Sequence, residues 1–216
     1  MSTISSLRTV LNIIEALTFI IALYCYKGNK SHRKFIFYFA FIVFSEMIGK
    51  IFDIYRYLEL TKYWYNFIVI PTEFFFWYFF LLTNFKKKKE KLIVKIGILL
   101  LTCSFIIEWM FFYDAKAVFV SLSYTFGNLV LLLLILIYFK QLIHSKRILN
   151  FDKELEFWLC SGLLLFYLGT FPVFGLYNYF LDNYPNDLKM FYIFMLVLNC
   201  LMYTLFSIGM LWTKPK

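Results

Sequence analysis

Apolar residues fall in seven continuous runs of about twenty, the length that crosses the hydrocarbon core of a bilayer. The runs lie at roughly 5–26, 35–56, 63–84, 92–112, 117–139, 157–180 and 188–212, separated by short polar connections. Their apolar residues are consecutive rather than alternating, so the pattern predicts helices and not barrel strands, and helices keep their backbone polar groups satisfied in lipid. The expected fold is all-α: a polytopic membrane protein, a bundle of seven transmembrane helices forming one domain over 1–216 with no soluble domain. Composition agrees. The chain is 62% hydrophobic and 24% aromatic with a mean hydropathy of +0.72, where soluble domains are about 45–50% apolar.

The polar connections carry the orientation. Basic residues cluster in KGNKSHRK, FKKKKEK with Lys95, KQLIHSKRILNFDK and the tail TKPK. Only Arg8, Lys50, Arg56, Lys62, Lys116 and Lys189 lie elsewhere. The positive-inside rule then puts the N-terminus outside and the C-terminus in the cytoplasm. It also accounts for the net charge of +9 without nucleic acid, since anionic lipid is sufficient. Asp53, Glu59, Glu108, Asp114, Asp182 and Asp187 make the other face slightly acidic. The first run reads as a retained span, because Glu15 interrupts it and no A-x-A cleavage site follows. The expected location is a bacterial inner (plasma) membrane.

Other features have plain structural readings. Cys25, Cys103, Cys160 and Cys200 sit in apolar runs without CxxC spacing and read as small buried hydrophobes. The tyrosines and tryptophans near run ends, such as Tyr63, Trp64, Tyr113 and Tyr177, form interfacial belts. The run FFFWYFF (74–80), with Trp77, reads as lipid-facing or packing surface. The connection 140–156 mixes Leu142, Ile143, Ile148, Leu149 and Phe151 with basic residues and suits a short amphipathic helix at the inner surface. Asp152, Glu154 and Glu156 then stand at the start of the sixth helix, where its dipole favours acids.

Charged and amide groups at bilayer depth are the exception to this apolar pattern. Ionised groups there cost roughly 2.5–3.5 kcal/mol each on insertion scales, and they persist where they pair, line a wet cavity or act. In the second span Glu46, Lys50 and Asp53 occupy i, i+4 and i+7 and so share a face. Similar stripes are Asn12, Glu15 and Thr18; Asn66, Glu73 and Trp77; Ser121, Tyr124 and Asn128; and Tyr192, Asn199 and Tyr203. Glu15, Glu46, Glu73, Asn128 and Asn199 reach comparable depth, with Lys50 one turn further out. Asp53 belongs nearer the outer mouth. The expectation is a polar core forming a cavity open toward the outside, with Glu15, Glu46, Lys50, Glu73, Asn128 and Asn199 as candidate ligand- or ion-binding residues. For Asn128, Asn199, Thr18 and Ser121, hydrogen bonding between helices is the competing role. Three carboxylates against one ammonium leave excess negative charge. Either burial keeps some of them protonated, or a cation or amine-bearing ligand neutralises them.

Pro71 and Pro172 each fall in the third helix of an inverted three-helix unit, a placement that broken helices take at transporter sites. Several chemistries lack their residues. The seventh span has only Lys189, at its outer end, so no retinal Schiff base is expected in the usual place. His32 and His144 lie in loops, which removes the intramembrane histidines a zinc hydrolase needs. GxGD, rhomboid-like GxS and paired-glutamate protease patterns are missing too. No catalytic residue, metal ligand or cofactor is expected, and an intramembrane enzyme using carboxylates alone is a minor option.

The leading expectation is a seven-helix sensor or receptor-like module. It would bind a small ligand, a cation among the candidates, in the midplane cavity and signal through a cytoplasmic or membrane protein partner. The alternative is a small proton- or cation-coupled transporter using the same glutamates. Third comes an accessory subunit of a membrane complex.

Overall fold

Each apolar run forms a helix in the computed structural model, which describes residues 2–27, 32–112, 120–175, 179–180 and 183–213. Among these residues there is no strand. The helices are α1 (Ser2–Tyr26), α2 (Arg33–Ile54), α3 (Leu58–Asn84), α4 (Lys88–Phe111), α5 (Ser121–Ile143), α6 (Leu155–Gly175) and α7 (Pro185–Trp212). All seven are long and apolar enough to cross a membrane. The sequence readings of Tyr113, Asp114, Lys116, Tyr177 and Asp182 lie outside the described residues, as do those of the Ser121 and Asp187 side chains.

Neighbours in sequence pack as neighbours in space, from α1 on α2 through to α6 on α7, and α1 also packs on α7 to close the ring. Thr18 ties that closure. Its hydroxyl lies 2.9 Å from Ser207 Oγ and donates to Ile14 O at 2.8 Å. Side α3 reaches inward as well, since it packs on α5 in addition to α2 and α4. Accordingly Phe74, Trp77, Tyr78 and Leu81 are all fully buried. The aromatic run 74–80 is thus mainly packing surface, with Phe79 alone among its residues strongly exposed.

Three local departures from regular helix set up the site. Pro71 has no N–H to give the carbonyl of Phe67, and the turn before it, Tyr65–Val69, widens into a π-helix. The C-terminus of α2 closes by a Schellman pattern: Tyr57 N donates to Phe52 O at 2.8 Å and Arg56 N to Asp53 O at 3.2 Å. Arg56 holds the left-handed position usually given to glycine, with φ 57°. At its far end α4 passes into a π turn, Glu108–Phe112, that turns the Glu108 carboxylate onto the start of α5. Leu122 N and Ser123 N donate to its two oxygens at 3.2 and 2.7 Å.

That cap corrects two sequence expectations. Glu108 is buried and is not a face charge, and α5 runs 121–143 where the hydropathy pattern gave 117–139. Helix α3 likewise begins at Leu58, earlier than 63. The connection after α5 holds the short amphipathic helix that the sequence suggests, over Lys146–Lys153, and it is of the 3-10 type. It is clipped to α6 by Trp158 Nε1 donating to Asp152 O at 2.8 Å and by an Arg147–Glu154 pair at 2.9 Å. Burial pushes the Glu154 carboxyl up from its ordinary range, against the opposing pull of Arg147.

Candidate functional site

A cavity of about 660 Å³ opens at the end of the bundle that carries the α1 N-terminus and the α2 C-terminus. Arg8 and Asp53 stand at its rim, 3.1 Å apart and each about one-third exposed. Its floor is Trp77, Tyr38 and Tyr203. Beneath them an aromatic layer closes the passage: Tyr38 stacks on Phe76 with centroids 4.0 Å apart, and Phe206 fits between Phe39 and Trp77. The indole of Trp77 donates to the Tyr38 hydroxyl at 3.1 Å, which locks α3 to α2 at floor level.

The antiparallel run of α1 against α2 explains how the carboxyls come to face one another. Arg8 pairs with Asp53. One turn deeper, Asn12 accepts from Lys50 Nζ at 2.5 Å and donates to Arg8 O at 3.2 Å when its amide is oriented to satisfy both. The next turn in the same register brings Glu15 level with Glu46. The first two levels are complementary, and the third places two acids opposite each other. Tyr65, from the π turn of α3, donates its hydroxyl to Glu46 Oε1 at 2.9 Å. Glu73 follows on α3 one turn above Trp77, which sets it roughly 6 Å deeper than Glu46 at 1.5 Å per residue. Each of the three carboxyls is within electrostatic reach of the other two.

Glu15, Glu46, Glu73 and Asn199 therefore line one cavity. Lys50 and Asn128 do not. Lys50 is exposed on the flank of the bundle, because the i+4 step from Glu46 carries it round to the α1 side, where Asn12 holds it. Asn128 is fully buried between α5 and α6 and donates to Tyr167 O at 3.2 Å. Its role is interhelical glue. The cavity is also less polar than expected. Its walls are largely aromatic and aliphatic, with Ile70 one turn above Glu73 on α3 and Ile42 one turn below Glu46 on α2.

Glu15 differs from the other two acids. It is 4% exposed, it lines the cavity, and its Oε2 has no hydrogen-bond partner. An orphan carboxyl oxygen at such a position is costly unless something else meets it. The cations that line the cavity lie toward its mouth: Arg8 is held by Asp53 at the rim, Lys62 pairs with Glu59 at 3.0 Å, and Lys189 stands in the first turns of α7. Among the described residues, no three His, Cys, Asp or Glu groups come close enough together to hold a metal ion. The carboxyls are spread along the cavity and do not converge on a point.

Sequence reasoning missed Arg8, Tyr38, Tyr65 and Tyr167 as site residues. The first was detectable: with α1 and α2 antiparallel, the polar positions 8, 12 and 15 fall opposite 53, 50 and 46. The tyrosines carry no such signal in a chain with 17 of them. Against protein-family models, curated proteins and solved structures, the chain has no match.

Proposed function

We propose that the chain is a seven-helix membrane receptor-like module that takes a small ligand into this cavity and passes the event to a partner on the opposite face. The observation that carries the reading is Glu15, a buried carboxyl with an unpartnered oxygen, facing a cavity that opens at one end and is sealed by aromatic packing at the other. A volume near 660 Å³ suits a small organic molecule. The distribution of Lys and Arg supports a mouth on the outside and the 146–153 segment in the cytoplasm. There Ile148, Leu149 and Phe151 are exposed beside Lys146 and Lys153, a surface suited to a partner that reads movement of α5 and α6.

A carrier is the second reading. Its support is the pair of proline-bearing helices, α3 with its π turn and Pro71 and α6 with Pro172 near its end, which flank the cavity. Proteoliposome flux separates the two. Ligand that stabilises the protein against heat but does not cross the vesicle supports the receptor. Uptake that disappears in Glu46→Gln assigns a carrier.

A further inference from the structure

The spacing of the three carboxyls points to a ligand with more than one positive centre. Glu15 and Glu46 share a level, Glu73 lies roughly 6 Å below them, and Ile42 and Ile70, both buried, line the cavity within a turn of these groups. A bare metal ion needs its ligands around one point, and these groups do not supply that. A single ammonium group satisfies one level and leaves the other unmet. An aliphatic chain with an amine at each end meets both levels and lays its methylenes on the two isoleucines.

The aromatic floor agrees with a cation. Trp77 and Tyr38 form the floor one turn below Glu73, and tryptophan faces are the best aromatic partners for ammonium groups. An anionic ligand would face three carboxyls, while the cations that line the cavity, Arg8, Lys62 and Lys189, lie toward its mouth.

We infer that the cavity binds an aliphatic diamine or polyamine, with one ammonium group between Glu15 and Glu46 and a second beside Glu73. This rests on the reading of the cavity as a ligand site. Arg8 and Asp53, at the rim, lie above both levels and leave room for a longer polyamine to extend toward the mouth.

The test is titration of the purified protein in nanodiscs with putrescine, spermidine, butylamine and calcium. Putrescine is expected to bind roughly tenfold or more tighter than butylamine, the gain of one additional ion pair. Glu73→Gln should bring putrescine down to the level of butylamine and leave butylamine unchanged. Equal affinity for the two amines overturns the inference, and so does binding of calcium alone. This comparison uses the unaltered chain, so it stands even if Glu73→Gln fails to fold.

A separate arm tests the cavity itself. Glu15→Cys and Asn199→Cys, in a background without the four native cysteines, are treated with a small ammonium-bearing thiol reagent. Labelling without amine binding leaves the ligand-site reading in place and removes the diamine. No labelling at either position, in protein that elutes as the unaltered chain does, removes both.

Discussion

The hydroxyl of Tyr65 donates to Glu46 Oε1 at 2.9 Å, joining the π turn of α3 to the carboxyl-bearing face of α2. Tyr65 opens that wide turn, and regular helix resumes at Ile70, just before Pro71. Glu46 is thereby fixed at the level of Glu15, where nothing comparable holds the orphan oxygen of Glu15.

Tyr65→Phe removes that hydrogen bond and keeps the ring. Interhelical hydrogen bonds of this kind average about 0.6 kcal/mol and reach about 1.7 kcal/mol, so the variant should lose stability within that range. Glu46→Gln retains an acceptor for Tyr65 and should lose less. Thermal unfolding of both variants in one detergent checks the order. An unchanged midpoint in Tyr65→Phe would mean the bond does not restrain Glu46.

The fold was legible in the sequence because hydropathy counts length, and seven runs of spanning length became seven helices. The ends were less legible. Side-chain caps decide them: Glu108 starts α5 at 121 from a position thirteen residues earlier in the chain, and no hydropathy window contains that contact. Within the candidate site, helical periodicity grouped Glu46 with Lys50 on one face, yet a four-residue step advances 40° beyond a full turn. That rotation is enough to put Glu46 in the cavity and Lys50 on the flank beside Asn12. Glu15, Glu46 and Glu73 come together because α1, α2 and α3 are consecutive and antiparallel, a relationship the span order already implies. Tyr38 and Trp77 at the floor depend on side-chain packing that the order of spans does not specify.

Glu108 accepts from two backbone N–H groups at the start of α5, and it is 6% exposed. Glu108→Ala leaves both donors without their partner in a buried position. A lost cap costs about 0.5–2 kcal/mol, and the upper end is expected because two bonds go at once. Glu108→Gln keeps an acceptor oxygen and should recover part of the loss. Hydrogen exchange at the first turn of α5 reads the local effect. If exchange there is the same in Glu108→Ala as in the unaltered chain, the cap is not what starts this helix.

Arg56 occupies the left-handed corner between α2 and α3 at φ 57°. A side chain there costs roughly 1 kcal/mol that glycine avoids. Arg56 is exposed, so little packing is lost with it. Arg56→Gly should therefore stabilise the protein by about 0.5–1 kcal/mol, offset in part by the greater freedom of glycine in the unfolded chain. The Schellman bonds from Arg56 N and Tyr57 N are backbone bonds and survive the change. A fall in the thermal midpoint would show that the side chain contributes something beyond this corner.

His32 stacks on Tyr26 with ring centroids 4.9 Å apart at the end of the bundle away from the cavity mouth, and its Nδ1 is buried without a partner. Burial holds its pKa below the usual value, with Lys34 acting in the same direction and Glu156 opposing them. The ordinary histidine value is about 6.5. As pH falls through that value the unfolded chain takes up the proton first, so stability falls with it. Above it both states are neutral and the contribution is fully present. The loss levels off once the folded histidine also titrates, at a pH below the ordinary value. The thermal midpoint should therefore drop between neutral pH and about pH 5, and His32→Phe, which preserves the stack on Tyr26, should reduce that slope. A slope unchanged in His32→Phe would assign the acid sensitivity to another group.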